Sequence, residues 1–243
     1  MQQRRADILS SLQSDILRLQ GFKSPGNTTA RLNLGLMDTA FPNGVFPLGA
    51  IHEFLPADEE DTASTSGFVA SLLSNVIGSR GIALWISTSR TLFPPALKTF
   101  GISPEKFIFI DLKKEKDVWW AVEEGLKCTS VAAVVGEMPT LDFTSSRRLQ
   151  LAVEQSCVTG FVIRPFSQKL TTTACVSRWK IASLPGEVVD DLPGVGYPQW
   201  RVELQRVRNG KPGAWDVKWM EGQLKTVAEK ALHHFEPEER KAG

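Results

Sequence analysis

The chain has 243 residues, of which 42% are hydrophobic and 23% are charged, and its formal net charge is +1. This length accommodates one α/β domain with short appendages and a buried core. The near-neutral charge provides no global field of the kind that marks a strong nucleic-acid binder. Because no apolar run approaches the roughly 20 residues needed to span a bilayer, and the N-terminus lacks a signal-peptide core, we expect a cytoplasmic protein.

The N-terminal segment, residues 1–22, has the pattern of an amphipathic helix. Its apolar stripe consists of Leu9, Leu12, Ile16 and Leu19. Residues 23–30 (KSPGNTTA) form a linker, which separates this helix from the rest of the chain. The helix either folds back on its own domain or docks on a partner protein or a second copy of the chain. These four side chains are the candidate partner interface.

From residue 50 the pattern alternates between short apolar strands and segments of helix length. The predicted strands lie at 50–55, 81–87, 107–112, 131–137 and 160–165. The predicted helices lie near 66–78, 90–101, 115–127 and 142–156. This alternation predicts a parallel sheet that is covered by helices on both faces.

After residue 172 the character of the sequence changes, because strand patterns at 173–184, 199–207 and 214–220 follow with no helix between them. The Asn209-Gly210 dipeptide is a strong turn signal between the last two strands, which therefore form an antiparallel hairpin. We place one core domain at 31–220. The charged tail, 221–243, is expected to contain at most a short helix.

The junction between the first strand and the first helix is where a P-loop ATPase places G-x-x-x-x-G-K-[ST], and that motif is absent here. The corresponding positions are Asp58, Glu59, Glu60, Asp61, Gly67, Phe68 and Val69. No lysine reaches toward a phosphate, and four acidic residues precede the helix, so a nucleotide triphosphate would be repelled. Ser64, Thr65 and Ser66 are interpreted as helix caps.

Other candidate catalytic residues have ordinary structural interpretations. Glu137 ends the fourth strand, where an ATPase would hold Mg²⁺, and is interpreted as a polar residue that closes the strand. His52 lies inside an apolar strand and is interpreted as a structural histidine. No His, Cys and Asp spacing indicates a metal site, so we expect no catalytic residue, no metal and no cofactor.

A candidate DNA contact follows the fifth strand, where Arg164, Gln168 and Lys169 lie in RPFSQKLTTT. Ligands of open α/β sheets bind at this carboxyl edge, and Arg and Lys are suited to phosphate. The local charge density is low, and Phe166 is the lone aromatic nearby, so DNA contact is a minor hypothesis.

These segments resemble the core of the RecA recombinase over residues 31–220. LGLMDTAFPNGVFPLGAIHEF is similar to the segment leading into the RecA P-loop, and LTTTACVSRWKIASL is similar to the strand after its second DNA-binding loop. WRVELQRVRNGKPGAW and GVFPLGAIHEF are most similar to the ImuA family, RecA-like proteins without a working ATPase site. The resemblance implies an α/β RecA-like core without a functional P-loop.

The ImuA resemblance also implies a function in the SOS response. It implies a non-catalytic accessory subunit of error-prone translesion DNA synthesis. Its partner would be a Y-family polymerase homologue like ImuB and, through it, an error-prone polymerase. Two alternatives are weighed against this: an inhibitor of the SulA type, which binds the tubulin homologue of bacterial division, and a nucleotide-dependent recombination enzyme with a displaced phosphate site.

Overall fold

The computed structural model describes residues 32–78, 81–89, 91–166, 171–186 and 196–227. Within those ranges the backbone forms a single mixed sheet of nine strands. The strands are β1 (Ile51–Pro56), β2 (Ala83–Ser87), β3 (Phe107–Asp111), β4 (Ala133–Glu137), β5 (Thr159–Ile163), β6 (Ser177–Leu184), β7 (Gln199–Val207), β8 (Gly213–Met220) and β9 (Gln223–Thr226). The predicted N-terminal helix and linker, including Leu9, Leu12, Ile16 and Leu19, lie outside the described residues.

The strand order is β3-β2-β4-β5-β1-β6-β7-β8-β9. The first six strands in this order, from β3 to β6, run parallel to one another. The pairs β6–β7, β7–β8 and β8–β9 are antiparallel. Parallel neighbours require long crossovers, which the helix-length segments of the sequence provide. The predicted mostly parallel sheet with an antiparallel C-terminal hairpin is therefore confirmed.

Three α-helices lie in the described part of the chain, α1 (Thr62–Ile77), α2 (Glu115–Lys127) and α3 (Phe143–Ser156). Helix α1 begins four residues before its predicted start. The segment predicted as a helix at 90–101 is instead a 3-10 helix, Pro94–Phe100, which starts on two prolines and ends at Gly101 in a left-handed conformation. None of the helices in the described ranges is both long and apolar enough to cross a membrane.

The sheet extends beyond the predicted domain boundary at 220. Glu221 and Gly222 both have positive φ, 56° and 73°, and form a tight turn that returns the chain along β8. Strand β9 follows this turn and pairs Leu224 with Trp219. The expectation that the tail starts at 221 is therefore wrong, because the sheet continues to Thr226.

The core has two layers, one on each face of the sheet. Helix α1, together with residues 32–46, covers one face, where the rings of Phe54 and Trp179 stack 6.1 Å apart with an interplanar angle of 5°. Helices α2 and α3 cover the other face around aliphatic side chains such as Ile51 and Val162. Both faces of β1 are consequently buried, as a near-continuous apolar strand requires.

His52 is fully buried on the aromatic face and has a partner at each ring nitrogen. Its Nε2–H donates to the carbonyl oxygen of Pro47 at 2.8 Å, so Nδ1 carries no proton and accepts from the Ser177 hydroxyl at 2.7 Å. The Trp179 indole N–H donates to the same hydroxyl oxygen. Burial lowers the pKa of His52 to about 4, and the Pro47 contact opposes this shift. His52 is therefore a neutral structural histidine at neutral pH.

His52 makes folding stability depend on pH. Its pKa is lower in the folded state than in the unfolded chain, so the unfolded chain binds the extra proton as the pH falls from about 6.5 to 4. We expect this group to remove about 3 kcal/mol of stability over that range. In urea unfolding from pH 7 to pH 4, His52→Gln should show a correspondingly shallower loss than wild type. Identical pH dependence of the two proteins would contradict the assignment.

Candidate functional site

The loop between β1 and α1 is closed by its own carboxylates. Asp58 Oδ1 accepts a hydrogen bond from the main-chain N–H of Glu59 at 2.7 Å, and the Asp61 carboxylate accepts from the Asp58 N–H at 3.2 Å. The Asp58 side chain also accepts from the Asp61 main-chain N–H, so Asp58 and Asp61 form a capping box on the 3-10 helix Glu59–Asp61, which runs directly into α1. The acidic block that the sequence places here therefore shapes the loop.

Asp61 also connects this loop to β6. Its Oδ1 accepts from both the main-chain N–H and the hydroxyl of Ser183, each at 2.7 Å, and the residue is buried. Main-chain N–H groups before a helix are the donors that a phosphate uses in a nucleotide site. In this chain carboxylates already accept from the main-chain N–H groups of Asp58 and Glu59, which precede the helix.

The remaining P-loop positions belong to the core. Phe68 and Val69 are fully buried, and the Phe68 ring lies 6.1 Å from that of Trp179 and 5.8 Å from that of Trp200. Gly67 faces the same cluster, because a Cβ at this position would lie 3.4 Å from the Phe100 ring. Phe68 and Val69 are thus core residues inside α1, which begins at Thr62.

The expected helix caps are not caps. Helix α1 begins at Thr62, so the serines and threonine lie in its first turn and a half. The Thr65 hydroxyl donates to the Asp61 carbonyl, and the Ser66 hydroxyl donates to the Thr62 carbonyl. Such bonds satisfy side chains inside a helix rather than its free N–H groups. The capping prediction is wrong because the acidic residues start the helical segment earlier.

Glu137 lies at the carboxyl end of β4, and its Oε1 accepts a hydrogen bond from the indole N–H of Trp85 on β2 at 2.7 Å. Burial raises the pKa of this carboxyl, the Trp85 bond partly offsets the shift, and the charge of Asp111 adds to it. The contact with Trp85 supports the interpretation of Glu137 as a polar residue that closes its strand. Across the described ranges, no group of three or more His, Cys, Asp or Glu side chains has a metal-binding arrangement.

A buried ionic network lies on the face of the sheet that α3 covers. The fully buried carboxylate of Glu53, in the middle of β1, accepts from Arg164 Nη1 at 3.0 Å and from Arg178 Nε at 2.7 Å. The Thr173 hydroxyl donates to it at 3.0 Å. Because an unpaired buried carboxylate is costly, these partners are a structural requirement of the fold.

This network corrects the expected DNA contact. Arg164 is only 4% exposed, and its guanidinium is directed to Glu53 and to the carbonyl of Pro139. The prediction is wrong for Arg164, because compensation of the Glu53 charge takes its side chain into the interior. Gln168 and Lys169 lie outside the described residues. The sequence did carry a signal, since Glu53 is a lone acid within an apolar strand.

Asp61 offers a direct test of the closed loop. Asp61→Asn places an amide group where two acceptor oxygens are needed, so at least one of the donors that it serves loses its partner. We expect a loss of about 1–3 kcal/mol in the free energy of unfolding, measured with urea. Glu60→Gln, a change at an exposed neighbour, is the matched control and should stay within about 0.5 kcal/mol of wild type. Equal stability of the two variants would show that the Asp61 bonds do not hold the loop.

Comparison with known proteins shows to which family the chain belongs. No protein-family model matches the chain. Protein ImuA of two strains of Caulobacter vibrioides is 35% identical over 197 residues, which cover 76% of this chain and 81% of the relative. Cell division inhibitor SulA of Photorhabdus laumondii is 28% identical over 95 residues, covering 39% of this chain and 54% of that protein.

Among solved structures, that of the RadB recombinase is similar in fold, with a TM-score of 0.53. It is 17% identical in sequence, and the match covers 76% of this chain and 94% of RadB. The sheet topology of the chain and this neighbour identify a RecA-like fold. The identity to the two Caulobacter proteins, extending over most of both chains, shows that the chain belongs to the ImuA family.

Proposed function

We propose that this protein is a non-catalytic accessory subunit of SOS-induced error-prone translesion DNA synthesis in the cytoplasm. It acts by binding a Y-family polymerase homologue of the ImuB type and, through it, an error-prone polymerase. The observation that carries the proposal is the loop after β1, where the Asp61 carboxylate accepts from Ser183 and Phe68 is buried in the core. Membership of the ImuA family supports the SOS context.

On this proposal the chain acts through its surfaces. We propose that the apolar stripe of residues 1–22, Leu9, Leu12, Ile16 and Leu19, is one of them. Its helical spacing and the polar residues between its members support docking on a partner protein. A helix laid into a partner's groove uses side chains at this spacing as anchors.

A second candidate function is inhibition of cell division by binding the bacterial tubulin homologue. The similarity to SulA over 95 residues favours it. That similarity covers 39% of the chain, whereas the similarity to ImuA covers 76%. We therefore place it second.

Co-purification tests both candidates together. Tagged full-length protein, isolated from DNA-damaged cells that encode it, should carry a Y-family polymerase homologue. The double variant Leu12→Asp/Ile16→Asp should reduce this recovery about tenfold or more, because it places charge on the apolar stripe. Gln13→Asp/Gln20→Asp adds the same charge at polar positions of the segment and should retain the partner.

Each outcome has one interpretation. Recovery of the division protein in place of the polymerase would overturn the first candidate and support the second. Recovery of neither protein would contradict both. Equal recovery of the polymerase with wild type and with Leu12→Asp/Ile16→Asp would leave the accessory function standing and remove the N-terminal stripe as its interface.

A further inference from the structure

A shallow cavity of about 370 Å³ lies beside the Glu53 network, outside the loop after β1. Its walls come from the first two turns of α3, from residues 173–176, and from the end of β7 with the residue that follows it. The side chains that matter for its chemistry are Phe143, Arg147, Val176, Arg206, Val207 and Arg208. Three arginines and one exposed aromatic ring therefore meet around a single cavity.

Two of these arginines are held in place by uncharged oxygens. Arg206 Nη2 donates to the Thr173 hydroxyl at 3.0 Å and to the Cys175 carbonyl at 3.1 Å. Arg208 Nη2 donates to the Ala174 carbonyl at 3.1 Å. These bonds position both guanidinium groups without neutralising their charge.

The third arginine is loosely paired. Arg147 Nη1 lies 3.6 Å from a carboxylate oxygen of Glu154, and both side chains are partly exposed. Burial lowers the pKa of Arg208, the charges of Arg147 and Arg206 lower it further, and that of Glu154 opposes them. Arginine remains charged in proteins, so the cavity has an excess of positive charge.

The cavity also offers apolar contact. Phe143, the first residue of α3, is 56% exposed, which is unusual for a large aromatic side chain. Val176 and Val207, which also line the cavity, are buried. A ligand that carries an anionic group next to an apolar group would satisfy both halves of the cavity.

The arrangement favours a peptide over a nucleic acid. Guanidinium groups match carboxylates and phosphates alike in a planar, bidentate geometry, so the number and spacing of the surrounding groups decide between them. Single-stranded nucleic acid instead needs a track of cations with repeated stacking aromatics. Here the cations converge on one cavity, and Phe143 is the single aromatic that lines it in the described part of the chain.

We propose that this cavity, defined by Phe143, Arg147, Arg206 and Arg208, binds an acidic peptide segment of a partner protein. A carboxylate of the peptide pairs with the arginines, and a neighbouring apolar side chain packs on Phe143. This site is separate from the N-terminal stripe. Its test uses synthetic peptides, so it can fail while the accessory function stands.

Fluorescence anisotropy of the full-length protein tests the site. The probe is a fluorescein-labelled decapeptide in which phenylalanine and glutamate alternate, and the comparison peptide has glutamine at each glutamate position. We expect saturable binding of the acidic peptide, weakened by added salt, and binding of the glutamine peptide that is weaker by about tenfold or more. No binding of the acidic peptide would overturn the proposal.

Two neighbouring arginines of α3 provide a matched pair of variants. Arg147→Gln should lower the affinity for the acidic peptide by about tenfold, since it removes one cation from the cavity. Arg148→Gln should not weaken it, because Arg148 is 66% exposed and pairs with Glu123 on α2, outside the cavity. Phe143→Ser should also weaken binding. Equal affinities of the Arg147 and Arg148 variants would contradict the site.

The variant Glu154→Gln tests whether Arg147 pairs with the peptide or only supports the structure around the cavity. Removing the carboxylate that competes for Arg147 should raise the affinity for the acidic peptide by about threefold. Loss of packing does not produce such a gain. Unchanged or weaker binding would contradict competition at Arg147. An oligothymidylate probe that binds more tightly than the peptide, and depends on Arg147, would make the cavity a nucleic-acid site and overturn the peptide proposal.

Discussion

The ion pairs of the buried Glu53 carboxylate are the interactions on which this part of the sheet depends. It lies in the middle of β1, with parallel neighbours on both sides, and has no access to water. Its charge is compensated by Arg164 after β5 and by Arg178 on β6, and the Thr173 hydroxyl donates to the same carboxylate. The segment before β6 is consequently held against the parallel sheet, and Arg206 near the end of β7 and Arg208 just after it donate to that segment.

Two carboxylates, Glu53 on β1 and Asp61 in the loop after it, therefore form their bonds on opposite faces of the sheet. Glu53 gathers cations on the α3 side, whereas Asp61 takes up main-chain donors on the α1 side. The first set of bonds fixes the segment before β6, and the second ties the loop after β1 to β6. On the proposed function, a RecA-like scaffold of this kind acts through its surfaces rather than through a nucleotide.

The sequence predicts the fold well because its information is local. Short apolar strands, helix-length crossovers and the Asn209-Gly210 turn each specify their own element. Boundaries failed where a neighbour in space decided the outcome, as at α1, which the Asp58 capping box starts early, and at β9, which is stabilised by pairing with β8. The site was harder to predict. Whether Arg164 faces DNA or Glu53 depends on a contact between residues 111 positions apart.

Titration calorimetry of Mg·ATP into the full-length protein tests the closed phosphate site most directly. With carboxylates on the main-chain donors and Phe68 in the core, we expect only the heat of dilution up to millimolar nucleotide. A saturable heat corresponding to one nucleotide per chain would contradict the closed site. It would show that the loop after β1 opens to phosphate and that the chain retains the nucleotide site of its fold.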